Sequence, residues 1–127
     1  MKSISAALTL LALVPSAANA EPPKPAPYLM RPPGAVRVLP PPEYDRPYTG
    51  KLTIERVDTP EQVQTACNLK KPALACAFPG DGTRCRIVMV PDEFIRATGY
   101  TPEIVLRHER GHCQFWPANH PNQQLLP

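Results

Sequence analysis

Ten of the 27 residues between positions 21 and 47 are proline. A stretch of this kind cannot form a helix or a central strand, because proline lacks the amide donor and fixes its own φ. It is expected to run as an extended, polyproline-like linker, up to about 80 Å long if fully stretched. The plain reading is a spacer; a wall-spanning stalk, a partner-binding arm and a cover over a cleft are the sharper ones. Folding is then confined to residues 48–122, with 123–127 as a C-terminal tail. A core of that size is marginal alone and needs staples.

Residues 1–20 read as a secretory signal peptide. Lys2 gives the positive start, positions 6–14 are apolar, and Ala18-Asn19-Ala20 is a small-x-small cleavage site. The apolar run is too short for a spanning helix, so the mature chain is expected to be secreted or periplasmic, without stable membrane insertion after cleavage. All four cysteines, at 67, 76, 85 and 113, lie beyond that site, and none follows it closely enough for a lipoprotein. An even count in a small exported protein predicts two disulfides. The absence of any C-x-x-C pair weighs against a cysteine zinc site. Cys76 and Cys85 flank a loop and could pair across it; equally, Cys113 could tie its helix to the sheet. A formal net charge of +3 with no basic stripe is too weak to call for nucleic acid.

Within the domain, Lys51-Leu52-Thr53-Ile54-Glu55 alternates as a half-buried strand does. Thr59-Pro60-Glu61-Gln62 opens a short helix through a capping box. Residues 73–78 and 84–90 read as two strands around Pro79-Gly80-Asp81-Gly82-Thr83, a hairpin. Residues 91–98 form one or two helical turns, stopped at Gly99. Thr101-Pro102-Glu103 then starts a second main helix, with threonine as N-cap and proline at the first helical position. Ile104, Val105, Leu106, Phe115 and Trp116 give it apolar surface, and Pro117 ends it. The expected fold is α+β: a small, disulfide-stapled domain with a three-stranded, mostly antiparallel sheet and two main helices.

That second helix carries His108-Glu109-Arg110-Gly111-His112, and all three histidines of the chain lie between 108 and 120. Residues four apart share a helix face, so His108 and His112 can direct two imidazoles at one zinc ion. Glu109 is placed to reach a water on that ion rather than to replace a ligand. A catalytic zinc needs three protein ligands and an open position. Beyond Glu109 the chain contains no aspartate or glutamate, so His120 is the downstream candidate, reached by a turn at Pro117. Asp81, Asp92 and Glu93 are upstream substitutes, and Cys113 is better explained by a disulfide. Gly111 inside the helix costs about 1 kcal/mol against alanine, which close approach of helix and sheet would explain. Trp116 is expected to pack under the helix end.

His108, Glu109 and His112 resemble the HExxH motif of zincin metallopeptidases. The run from His108 to Pro121 is also similar to an H-E-x-G-H-C-x-x-W-P-x-x-H pattern in short secreted bacterial proteins. The resemblance covers about 15 residues and implies a minimal zincin-like domain, zinc on His108 and His112, and Glu109 as general base. Two features depart from the metzincin pattern. The position six residues after His112 is Ala118 rather than histidine, and no methionine follows Met89.

The function expected on these grounds is an exported zinc-dependent hydrolase, a metallopeptidase acting on peptide or protein. His108, His112 and His120 bind Zn2+ and Glu109 is the catalytic base. The 84–90 strand, if it is a sheet edge, would align the substrate, and Arg107, Arg110 or Tyr100 would face the oxyanion. The alternative is a non-catalytic exported binding module, stapled by zinc and disulfides, with the proline-rich arm engaging a partner.

Overall fold

The computed structural model describes residues 21–126, together with the single positions 3 and 12. The expected export signal therefore lies outside the described residues apart from those two positions. The fold is α+β. Its strands are β1 (Val36–Leu39), β2 (Lys51–Arg56), β3 (Ala75–Phe78), β4 (Arg84–Met89) and β5 (Gln124–Leu126). Its helices are α1 (Pro60–Cys67), α2 (Asp92–Ala97) and α3 (Pro102–Cys113).

Each helix begins where its side chains can satisfy the first amides. Thr59 accepts from Gln62 N while the Gln62 side chain returns to the Thr59 amide, and Pro60 occupies the first turn of α1. Thr101 caps α3 by accepting from Ile104 N. Helix α2 is stopped as Gly99 takes φ 89°. The 79–83 turn joins β3 and β4 antiparallel, with Asp81 accepting from the Thr83 amide and hydroxyl.

The main sheet has the order β2-β4-β3. Strand β2 lies parallel to β4, because α1 and β3 intervene between them in sequence and carry the chain back to the starting end. The 84–90 strand is therefore not the sheet edge that substrate alignment along it would need. Strand β4 is central and β3 is an edge. The position of β4 fits its composition: Ile87, Val88 and Met89 are wholly buried, so both of its faces are covered there. Strand β2 is more exposed than its alternation implies, with Ile54 41% accessible. Val63 of α1, Phe94 and Ile95 of α2 and Val105 of α3 complete the core with β4.

Both disulfides form. Cys67–Cys76 ties the end of α1 to β3, and Cys85–Cys113 ties β4 to the end of α3. Cross-links of this kind fit an oxidising compartment. No helix among the described residues is long and apolar enough to cross a membrane.

The proline-rich arm departs from a free spacer. Its proline-free interval, residues 34–39, retains the amides a ladder needs, and β1 pairs antiparallel with β5 in a second, two-stranded sheet. Pro40 is fully buried. Tyr28 donates to Pro72 O, and Arg31 N donates to Thr98 O. The prolines forbid a central strand, and an edge pairing of this length needs none of their missing donors.

Candidate metal centre

Helix α3 presents His108 and His112 on one face, one turn apart, and the loop beyond it returns His120 to both. His120 Nε2 lies 3.1 Å from His108 Nε2 and 3.0 Å from His112 Nε2. Among the described residues this is the group of histidine, cysteine and carboxylate side chains that could hold a metal ion.

The return of the loop has a visible cause. Helix α3 ends in a Schellman motif: Trp116 N donates to Gly111 O and Phe115 N to His112 O, with Phe115 left-handed at φ 70°. The helix thus stops before Pro117. His120 N then donates to Pro117 O, with His120 itself at φ 56°. Trp116 Nε1 donates to Pro121 O and locks the turn. The Trp116 ring is 2% accessible and stacks on His112 at 4.8 Å between centroids. Trp116 packs under the helix end as expected, whereas Phe115 turns outward and is 54% accessible.

Backbone carbonyls set the tautomers. His108 Nδ1 lies 2.5 Å from Val38 O, and His112 Nδ1 lies 2.7 Å from Trp116 O. A carbonyl can only accept, so Nδ1 carries the proton in each ring and each Nε2 offers a lone pair. Val38 is available for this because β1 is bulged: Arg37 faces Leu125 and Leu39 faces Gln124, leaving Val38 without a β5 partner. Bulges commonly re-aim a group in this way.

Three nitrogens now converge. A proton on His120 Nε2 can satisfy one neighbouring lone pair, not two. A cation satisfies all three. Three imidazole nitrogens at zinc distances in a tetrahedral arrangement sit about 3.3 Å apart; His120 lies at 3.1 and 3.0 Å from its two neighbours, and all three ligand atoms lie within 4.8 Å of one another. Ordering the other ring nitrogen on a carbonyl is what metal-binding histidines require. The residues therefore fit a metal ion. Burial, acting against its hydrogen bond to Val38, holds His108 down at about 4. Burial also lowers His112 and His120, so all three are neutral and ready as ligands at neutral pH.

Glu109 is 6% accessible and forms no hydrogen bond or ion pair among the described residues. Burial pushes its carboxyl up to about 8. It lines the cleft beside the histidines without belonging to their cluster.

The other candidate residues are drawn elsewhere. Asp81 is engaged in the hairpin turn, Asp92 pairs with Arg56, and Cys113 is cross-linked. Glu93 lines a separate cavity against the arm near Pro22. Arg107 forms a two-pronged pair with Asp45 and, with Arg110, borders a different hollow. Of the three oxyanion candidates, Tyr100 lines a cavity together with His108 and Glu109. Gly111 is explained by contact with the arm rather than the main sheet. A Cβ there would stand 2.5 Å from Pro40 Cγ and 3.0 Å from Trp116 Cε3. Sequence reasoning missed Val38, Pro40 and the edge role of β3; the proline-free interval at 34–39 was the one available signal. The chain matches no protein-family profile, no curated protein sequence and no solved structure.

Proposed function

We propose that this chain is an exported zinc-dependent hydrolase, a metallopeptidase, with His108, His112 and His120 as the metal ligands and Glu109 as the general base. The observation that carries this reading is Glu109. A largely buried carboxyl with no protein partner, its oxygens open only to the cleft, is costly to ionise, and a domain that used zinc only as a staple would be better served by an apolar side chain there. A base needs such a site: access to a water, and a neighbouring cation that would return the buried carboxyl to its ionised, proton-accepting form.

When bound, zinc supplies Lewis acidity toward a carbonyl and lowers the pKa of water. The chain's own residues supply the rest. Glu109 takes the proton from the attacking water and hands it to the leaving amine. Val38 O and Trp116 O hold the two helical imidazoles in the ligand tautomer. Tyr100 is the side-chain donor in the cleft for the developing oxyanion. Strand β3 pairs with β4 alone among the described residues, so its other edge can order an extended peptide through main-chain hydrogen bonds.

Two variants test this. Glu109→Gln should keep zinc and fold while losing at least about a hundredfold in peptide hydrolysis, the range of a lost general base. His112→Ala should lose the metal and part of the stability, since metal binding and folding are linked. Zinc content and cleavage of a broad peptide set read both. A wild type that holds zinc yet cleaves nothing, and that Glu109→Gln matches in every assay, would leave the stapled binding module instead.

A further inference from the structure

The geometry points to a more specific ligand: an extended peptide with apolar, uncharged side chains on both sides of the metal centre, gripped by Phe115. This rests on the peptidase reading and narrows it to a substrate class. Two cavities, of about 540 and 410 Å3, share Ala75, His108, Glu109 and His120. They otherwise have different walls. The larger is closed by Leu69, Ala73, Pro79 and Phe115, the smaller by Tyr28, Leu29, Tyr100 and Ile104. The cluster therefore sits where the two meet, with a side-chain-sized space to either hand.

Neither wall contains a lysine, arginine or aspartate, and Glu109 is the one carboxyl in both. An anionic ligand side chain would give up its water there and find no counter-charge, and a cationic one would find only Glu109, the group reserved for the attacking water. An apolar one would only leave water. Ala73, Ala75 and Ala77 stand at alternate positions along and before β3, where small side chains leave the room for those of an added strand.

Phe115 supplies the independent sign of a ligand. The position it fills, left-handed at the end of a Schellman motif, ordinarily belongs to glycine. A phenylalanine there is strained, and this one is also exposed rather than buried. Its ring is held towards the hairpin, where a Cβ on Gly82 would come within 3.0 Å of Phe115 Cε2. Strain retained on an exposed aromatic at the wall of a cleft has a use if a ligand covers it.

The test uses the zinc-loaded mature chain and three tripeptide hydroxamates, identical except for Leu, Asp or Lys beside the chelating group. Trp116, the single tryptophan of the chain, reports binding by fluorescence. The leucine probe should bind at least tenfold more tightly than the other two. Phe115→Ala should weaken the leucine probe about tenfold and leave the aspartate probe unchanged. Charged probes within threefold of the leucine probe, an unaltered leucine affinity in Phe115→Ala, or no binding of any probe would each overturn the proposal. Peptide cleavage separates it from the broader reading. Efficient cutting beside charged residues overturns the apolar groove and leaves the peptidase. Leucine-selective binding without any cleavage keeps the groove and removes the peptidase.

Discussion

Strands β2, β3 and β4 with helices α1 and α2 are held by local devices: a capping box at Thr59, a tight turn at residues 79–83, and a Cys67–Cys76 link between neighbouring elements. The region around His108 is assembled differently. Val38 and Pro40 reach it from 70 and more residues away, and Gln124 binds Pro40 O across 84 residues. Local satisfaction is also absent there. Phe115 and His120 are left-handed without being glycine, and among the described residues the largely buried Glu109 has no partner. The scaffold thus contributes stability, and the site side holds groups away from their local optimum, as the proposed metal and ligand would require.

The largest effect separating the two regions should come from Glu109 in the metal-free protein. Burial raises its carboxyl in the folded state from the ordinary carboxylate range to about 8. The stability this provides is present at low pH and lost as pH rises through about 8. His108 runs the opposite way: lowered to about 4, it gives stability above about 6.5 that is lost as pH falls through 4. Between pH 6.5 and 9 the histidines stay neutral, so that window isolates Glu109. Metal-free wild type should lose about 2 kcal/mol across it, nearly all of it below pH 8. Glu109→Gln should stay flat in the same denaturant titrations. Parallel curves for the two proteins would place the carboxylate in contact with a partner.

Next in size is a pair of substitutions, one in each region. Gly111→Ala gains about 1 kcal/mol in helix propensity but drives a methyl into the rigid Pro40 ring. Overpacking of this kind costs about 1–3 kcal/mol, so the net change should be destabilising. By displacing β1 it should also draw Val38 O from His108 and weaken zinc about tenfold. Thr59→Ala should cost about 1 kcal/mol through the lost cap and leave zinc affinity unchanged. Equal zinc affinities in the two variants would show that the arm does not position the ligand.

The smallest effect has the opposite sign. Phe115→Gly relieves a left-handed phenylalanine, worth about 1–2 kcal/mol, against about 0.5–1 kcal/mol of backbone entropy. A gain of about 0.5–1 kcal/mol should appear as a melting temperature a few degrees higher. A lower melting temperature would mean that the exposed ring stabilises the fold by itself.

The same division governs what the sequence discloses. Thr59 with Gln62, Thr101 with Pro102 and the glycine-rich turn announce their elements because cap and turn chemistry acts within four residues. The face shared by His108 and His112 follows from helical period alone, and His120 from the want of any later carboxylate. Pairing partners are another matter. Nothing near Lys51 states that β2 will lie parallel to β4, and β1 and β5 are too short for their alternation to register. The role of Val38 is invisible because a carbonyl belongs to every residue; the bulge that frees it exists only once β5 is in place. Phe115 reads as helix surface because apolar patterning cannot show that a residue has turned left-handed.

In the proposed site three histidines close on one metal while Glu109 stays off it. X-ray absorption at the zinc edge of the loaded mature chain measures this directly. The spectrum should show three imidazole nitrogens and one further light atom at about 2.0–2.1 Å, unchanged in Glu109→Gln and with one imidazole lost in His120→Ala. Two imidazoles in the wild type, sulfur in the first shell, or a spectrum changed by Glu109→Gln and indifferent to His120→Ala would contradict that arrangement.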